Sequence, residues 1–486
     1  MAIRLSKSKL IAYRQCPKKL WLEVHRPDLK VEDQSAQQRF EAGYRIGDFA
    51  QRQYPDGILI APDNNLPNAL KETQEHLNAA TGKVLFEATF QAHGLLVRAD
   101  LLVPTKSGWH MVEVKSSTKV KPYHIEDAAI QSWVAKNAGL NLSHTSLQVV
   151  DSKWTYPGGN HYSGLLKLEA VDDKIAPLQS EVPKWLASAQ AVVSTDEPNI
   201  KIGKQCNDPF SCAFQSHCES LTAPIQFPIN WLPNLHHTKR AKFEAAGFVE
   251  LTQLPAGDLS AKQQKVLDAT INNKVFFEPL TAAEKKQFNG TRYYLDFETI
   301  AFTIPIWEGT RPYQQVPFQW SCHIEKPDGT ITHDMFLDLS GNDPSRQFAE
   351  GLVATLGRTG PIVVYNQGFE KRIIKELAQR FDDLAPRLTL LLDRVVDLLP
   401  ITGAHYYHPD MQGSWSIKAV LPTIAPDLDY ANLVDVSDGG GAQEAFLEAT
   451  HSDTTSLRKT QLEAALRAYC YRDTEAMIRV LHFLMA

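Results

Sequence analysis

The sequence predicts an α/β chain built from more than one domain. Its 486 residues exceed what one hydrophobic core usually organises. Strand-like runs alternate with helical ones along most of its length. A hydrophobic content of 43% with 22% charged residues is ordinary for a globular protein. No apolar run approaches the ~20 residues that span a bilayer. The start, MAIRLSKSKLIAYRQC, has neither the apolar core nor the cleavage site of a secretory leader. A cytoplasmic protein without membrane association is therefore expected. The net charge of −6 argues against coating a polyanion, though it leaves room for a local basic groove. Six cysteines in a chain of this length do not read as a disulfide framework.

Residues 1 to about 80 read as helical, with Ser6 a candidate cap for the first helix. Strands follow in VLFEATF, GLLVRADLLV and GWHMVEVKSS, punctuated by Gly94 and Gly108. The helix HIEDAAIQSWVAKNAGL closes at Gly139, and the strands SLQVVDS and SGLLKLEAV and the helix EVPKWLASAQAVV complete a domain over residues 1–222. A proline-rich stretch, Pro224 to Pro233, opens a helical connector over residues 223–285 that carries Lys239, Arg240 and Lys242. The last domain, residues 286–486, starts with the strand bearing Asp296. An antiparallel pair (FQWSCHIEK, ITHDMFL), a helix, the strand PIVVYN and the helix EKRIIKELAQRF come next. The final helix, TQLEAALRAYCYRDTEAMIRVLHFL, shows an apolar stripe at helical spacing. GGG at 439 to 441 lacks the Lys-Ser/Thr of a phosphate-binding loop and reads as a turn. Cys322 and Cys470 read as small core residues.

RYYLDFETI sets Asp296 and Glu298 on one face of a strand, where each raises the cost of ionising the other. Either that face looks into water or a cation lies between them. In VVYNQGFEKRII, Asn366 is placed to cap a helix with Glu370 in its first turn. Tyr469 and Asp473, four apart, share a face of the last helix. Four carboxylates and a phenol suit two hard cations, magnesium or manganese, that act on a phosphodiester. LDFE, YNQGFE and YCYRD resemble, in order and spacing, the DnaQ-like 3′→5′ exonucleases of the RNase H-like fold in their tyrosine version. RVVDLLP, with Asp397, and SWSIKAVLP resemble that family's middle segment. The resemblance implies metal ligation by Asp296, Glu298, Glu370 and Asp473, with Tyr469 orienting water. Glu370 stands where the family usually has Asp.

In VRADLLVPTKSGWHMVEVKSS, Asp100 precedes a turn and Glu113 and Lys115 share one face of the next strand. Two acids and an ammonium on neighbouring strands can hold a divalent metal and set a water beside it. Glu87 and Gln131 strengthen the pattern. It resembles the PD-(D/E)xK nucleases of the RecB-like group, which include the CRISPR-adaptation exonucleases and the Dna-two helicase-nucleases. That group commonly has a metal-binding His where Gly47 stands here. Some members hold a 4Fe–4S cluster on one Cys before the nuclease core and three after it, the layout of Cys16, Cys206, Cys212 and Cys218. The C-x5-C-x5-C spacing is wider than the usual C-x2-C-x5-C, and zinc or inert core thiols remain alternatives. The connector weakly resembles helix-hairpin-helix modules, a plain basic linker being the other reading.

Both halves together, with HYYHPDMQGSWSIKAVLP and VSDGGGAQEAF, resemble a bacterial family of uncharacterised RecB-like proteins. The expectation is a nuclease acting on single-stranded DNA in repair, recombination or defence. Two alternatives stay open. One is a short-RNA exonuclease whose amino-terminal half only grips substrate; the other is a non-catalytic iron–sulfur scaffold that binds nucleic acid.

Overall fold

Alternating apolar side chains from Leu85 to Val150 and again from Arg292 to Leu337 build two sheets, each flanked by helices. The computed structural model describes residues 4–31, 34–61, 65–79, 82–255, 257–428, 430 and 433–486. The chain is mixed α/β and divides into two compact units, Met1–Pro224 with Phe302–Tyr313, and Ile225–Ala301 with Gln314–Ala486. No described helix is long and apolar enough to cross a membrane.

In the first unit the order is β1 (Leu5–Ser6), α1 (Lys7–Gln15), α2 (Pro17–His25), α3 (Gln34–Arg52), β2 (Ile58–Leu59), α4 (Leu66–Asn78), β3 (Leu85–Ala92), β4 (Leu95–Thr105) and β5 (Gly108–Lys115). Then come α5 (Pro122–Asn137), β6 (Leu142–Val150), β7 (Leu166–Ala170), α6 (Asp172–Ile175), α7 (Val182–Val193) and α8 (Gln215–Ser220). The sheet runs β2-β3-β4-β5-β6-β7. Strand β5 pairs β4 only from Leu101 to Thr105, so the start of β4 is left to take β1 in parallel, Leu5 beside Leu95. That pairing delivers the first turn of α1 to the sheet, where Ser6 caps it by accepting from the Lys9 N–H at 3.4 Å. Helix α5 buries Ala128, Ala129, Ile130, Val134 and Ala135 against the sheet. Gly139, at φ +93°, supplies the left-handed turn that ends this helical segment.

The second unit holds α9 (His237–Ala245), α10 (Ala261–Ile271), β8 (Phe276–Phe277), α11 (Ala282–Lys285), β9 (Arg292–Ala301), β10 (Gln315–Glu325), β11 (Ile331–Leu337) and α12 (Ser345–Thr355). It continues with β12 (Ile362–Val364), α13 (Gly368–Arg380), α14 (Ala385–Leu392), β13 (Val395–Asp397), α15 (Leu398–His405) and β14 (Tyr406–Tyr407). The last helices are α16 (Ile417–Ile424), α17 (Gly439–Thr450) and α18 (Ser456–Met485). The main sheet runs β11-β10-β9-β12-β13. Strand β10 is antiparallel to both its neighbours, whereas β12 is parallel to β9 and β13. Residues Gly439 to Gly441, expected as a turn, instead open α17, with Asp438 capping through the Gly441 N–H at 2.8 Å. The cap satisfies an orphan donor and the helix beyond it buries Ala442, Ala445, Phe446 and Ala449, which together offset the helix-weakening entropy of the glycines.

Period-two alternation divides β9 between two cores. Leu295 and Phe297 pack with Phe348, Leu352, Ile373 and Leu377 from α12 and α13. Tyr294 packs on the other face with Met477 and Leu481 of α18, so Asp296 and Glu298 are turned to the α18 side. The helix is fastened there by Glu325 on β10. Its carboxylate accepts from Arg292 at 2.5 and 3.0 Å, from the Tyr294 hydroxyl at 2.5 Å, and pairs with His482 at 2.9 Å. Truncating one partner of such a buried set typically costs about 3 kcal/mol or more, because the others are left uncompensated. Glu325→Ala is therefore expected to lower the unfolding free energy of this unit by about 3 kcal/mol, read from urea midpoints. His482→Ala, with His482 on the rim, is expected to shift it by under about 1 kcal/mol.

Candidate active site

Asp296, Glu298 and Asp473 each offer an oxygen within 4.8 Å of the other two. Among the described residues they are the only such group of three acidic, histidine or cysteine side chains. The strand supplies the first two and α18 the third. All three are largely buried, and their pKa values show the strain. Burial and then Asp473 push Glu298 up to about 8. Burial pushes Asp473 up to about 6, although Tyr430, Lys418 and Tyr469 pull it back. Asp296 is raised well above the usual range by burial, Asp473, Glu298 and Glu370. Tyr430 donates to Asp473 Oδ1 at 2.5 Å. Tyr469 sits one helical turn before Asp473, and Asp473 is also hydrogen-bonded by its phenol.

Glu370, in the first turn of α13, lies outside this close trio but within electrostatic reach of Asp296. It is 3% exposed, its Oε2 has no hydrogen-bond partner, and burial followed by Asp397 raises it to about 8. Asn366 does not cap α13 as expected. It adopts φ +78°, and Asp397 on the neighbouring strand end accepts from the N–H groups of Asn366 and Gln367 at 2.9 and 3.2 Å. A carboxylate reaching across from β13 thus holds the backbone that enters α13, whose N-cap position, Gln367, makes no side-chain cap.

In the first unit, Val114 donates its N–H to Asp100 Oδ2 at 2.7 Å. Lys115 reaches Glu113 Oε1 at 2.8 Å and Asp127 Oδ2 at 2.5 Å. Gln131 touches Asp127 weakly, at 3.5 Å. Glu87 on β3 and Asp100 on β4 fall opposite each other in an unbroken register without pairing, and Glu87 is held at φ +57°. Burial and Glu113 raise the pKa of Glu87, and the same two causes raise Asp100 further. Glu87, Asp100 and Glu113 form no close trio like that of the second unit. Glu113 Oε2 and Gln131 Oε1 are nonetheless buried and without partners. Gly47 has open space where a side chain would project.

Cys16, Cys206, Cys212 and Cys218 line one cavity together with Leu22, Ile200 and Phe214. Gln15 pins this loop by donating to the carbonyls of Gln205 and Phe210, both at 2.8 Å. Burial and the neighbouring thiols raise Cys212 and Cys218. No three of the sulfurs lie within 4.8 Å of one another. A zinc tetrahedron, with Zn–S of about 2.3 Å, would need them about 3.8 Å apart.

A family described as "Domain of unknown function (DUF2779)" matches residues 293–416, which include Asp296, Glu298, Glu370 and Asp397. The chain is similar to "Uncharacterized protein MG366 homolog" of Mycoplasma pneumoniae, 27% identical over 39% of this chain and 31% of that protein. "Uncharacterized protein MG366" of Mycoplasma genitalium is 25% identical over 47% of this chain and 39% of its own length. "Uncharacterized protein UU173" of Ureaplasma parvum is 25% identical, over 40% and 31%. The matches thus span well under half of these relatives, whose names assign no activity. A solved structure titled "Crystal structure of SSO0001" aligns with 45% of this chain and 88% of its own at 14% identity, with a TM-score of 0.20 that carries no weight for the fold.

Four residues of these clusters were not singled out by sequence reasoning. Lys418 is the only charged residue of the apolar helix IKAVLPTI; it draws on Glu298 and Asp473 and donates to the Ser437 carbonyl at 2.7 Å. Tyr430 carries no local signal. Asp127 precedes Gln131 by one helical turn, a spacing that could have found it. Lys7 reaches Glu113 at 2.8 Å and Asp127 at 3.1 Å, and a lysine at the first helical position is the cue.

The raised carboxylates fix the sign of a pH effect. The buried His124 and His323, lowered to about 4, act in the opposite sense below the ordinary histidine range, so the raised carboxylates set the sign above it: there the metal-free folded state holds more protons than the unfolded one, up to about 8. Stability is therefore expected to fall as pH rises through that window. Calorimetry in EDTA should show the melting temperature dropping from about pH 6.5 to 8. The gain on adding Mn2+ should grow over the same range, and Asp296→Asn should flatten both trends.

Proposed function

We propose that this chain is a metal-dependent nuclease that hydrolyses phosphodiester bonds, with single-stranded DNA the favoured substrate. The observation that carries the reading is the convergence of Asp296 and Glu298 from β9 with Asp473 from α18. Three buried carboxylates at that separation repel one another and lose hydration, a combination that positively charged ligands relieve. Their all-oxygen chemistry fits magnesium or manganese, with Glu370 as a further ligand. Cations bound there would stabilise the attacking and leaving oxygens of a phosphodiester.

The side chains around the cluster have separable tasks. Tyr430 fixes the orientation of Asp473 through its short hydrogen bond. Tyr469 offers its phenol beside the same carboxylate and is the group placed to orient water. Lys418, over the rings of Tyr430 and Tyr469 at 5.3 and 5.1 Å, supplies a positive charge within electrostatic reach of Glu298 and Asp473. In this reading the second unit is an RNase H-like exonuclease and the first a PD-(D/E)xK-like nuclease centred on Asp100, Glu113 and Lys115. Support for the second assignment is the sheet whose middle strand, helix-flanked on both faces, carries the acids.

We read the four cysteines as ligands of a 4Fe–4S cluster, since they line one partly apolar cavity and thiolates are the usual ligands of such clusters. Such a cluster would tie the α1–α2 turn to the loop beyond α7.

Two experiments test the proposal. End-labelled single-stranded DNA with Mn2+ is expected to be shortened by the intact chain. Asp296→Asn combined with Glu113→Gln should lower the rate at least 100-fold, and unchanged cleavage would sink the assignment. Equal or faster loss of an RNA strand of the same sequence would move the substrate to RNA. Separately, anaerobically purified protein should be brown with about four irons per chain, colour and iron both lost in Cys212→Ala. A colourless protein with one zinc per chain would overturn the cluster.

A further inference from the structure

The amino-terminal centre contains a cation of its own. Lys7 and Lys115 both donate to the same oxygen, Glu113 Oε1, each at 2.8 Å. Asp127 grips both ammoniums from the other side, Lys7 at 3.1 Å and Lys115 at 2.5 Å. The four groups close a ring of alternating charge. Two ammoniums sharing one oxygen repel, and Asp127 offsets that repulsion. Burial works against the charge on each lysine, but Asp127 and Glu113 outweigh it and raise both.

Lys7 is also in the wrong place for its own helix. It occupies the first position of α1, where the helix dipole disfavours a positive charge. Residues that break a local rule and are held by distant partners mark places where something other than folding sets the choice. Strand β1, paired beside Leu95 and Leu96, delivers this side chain to the carboxylates.

The charge balance bears on how many metals fit. Once ionised, as metal ligation requires, Glu87, Asp100, Glu113 and Asp127 set four negative charges against Lys7, Lys115 and Arg98, which acts on Glu87. One negative charge remains. A single divalent cation leaves one positive charge, which one bound phosphodiester neutralises; two cations would leave three. The vacant valence points the same way, because Glu113 has one oxygen taken by the ammoniums while the other, Oε2, is buried and without a partner. The carboxy-terminal centre differs: its four acids are opposed by Lys418 alone among the charged groups that lower their pKa values.

We propose that the Lys7 ammonium permanently fills one cation position of the amino-terminal centre, so that this centre takes a single divalent metal ion on the free oxygen of Glu113. The inference rests on the nuclease reading of this centre. Manganese binding to the full-length chain tests it, counted by the loss of the free-ion electron paramagnetic resonance signal. The Asp296→Asn, Asp473→Asn background removes the carboxy-terminal centre. The expected result is one tightly bound Mn2+ per chain, abolished by Glu113→Gln. Lys7→Met, which keeps the stem and removes the charge, should raise the count to two, while Lys7→Arg keeps it at one. Two ions with Lys7 intact, or an unchanged count in a folded Lys7→Met chain, overturns the inference but leaves the nuclease reading standing. No bound ion in the Lys7-intact chain overturns both for this centre. Where Lys7→Met does not fold, Lys7→Gln is counted in its place and is held to the same two outcomes.

Discussion

Like charges held together out of water are the constraint on which the second unit is built. Asp296, Glu298 and Asp473 crowd within 4.8 Å, and each is disfavoured by lost hydration before repulsion is counted. Left to itself such a cluster would splay. It is held because the groups are not free to move: Leu295 and Phe297 lock β9 into one core, and Tyr294 locks it into the other. Apolar burial of this kind, at about 25 cal/mol per Å², accumulates along a strand until it exceeds the local repulsion. The result is an environment whose energy falls when positive charge enters.

The first unit meets the same problem with cationic side chains of its own. Lys7 and Lys115 interleave with Glu113 and Asp127, and the close distances, 2.5 to 3.1 Å, leave these charges largely compensated within the chain. Buried ion pairs add little net stability, since desolvation cancels most of the attraction. What they add is definition of which oxygen remains open. The two centres thus use the same kinds of acids and differ in how much of the neutralising charge is covalently built in.

Legibility in the sequence followed the range of the interaction. Asp296 with Glu298, and Tyr469 with Asp473, were readable because strand and helix periodicity place them on one face without knowledge of the fold. The Ser6 cap and the antiparallel pair after β9 were readable for the same reason. Tyr430 and Lys418 were not, since their partners lie on other elements and no local rule marks them, and Lys7 offered only its place at the start of a helix. Asn366 misled because its residue type suits a cap, whereas in the fold it takes a left-handed φ and its own N–H is held by Asp397 on the adjacent strand. The glycines at 439 to 441 misled in the opposite sense: their composition says turn, and the Asp438 cap says helix. Cys470 was read as core, and it is buried, but its thiol also stands 3.7 Å from Asp296 Oδ2.

Helix α18 shows why the cluster and the fold cannot be treated separately. Asp473 faces the acids, and the next residue, Thr474, shares hydrogen bonds with Ser321 at 2.9 Å and His323 at 2.8 Å on β10. Ser321 lies directly opposite Asp296 in the sheet. The same few residues that set the distance between β10 and α18 therefore set the distance between Asp296 and Asp473. Chemistry at such a cluster tolerates displacements of only about 0.5 Å, and a helix resting on apolar contacts alone could slide by that much. Directional bonds from Thr474, one residue away from Asp473, resist sliding where it would change the spacing of the cluster. The Glu325 contacts with Tyr294 and His482 hold the C-terminal turns of the helix against rotation. The polar network is thus the element that converts a packed helix into a positioned carboxylate.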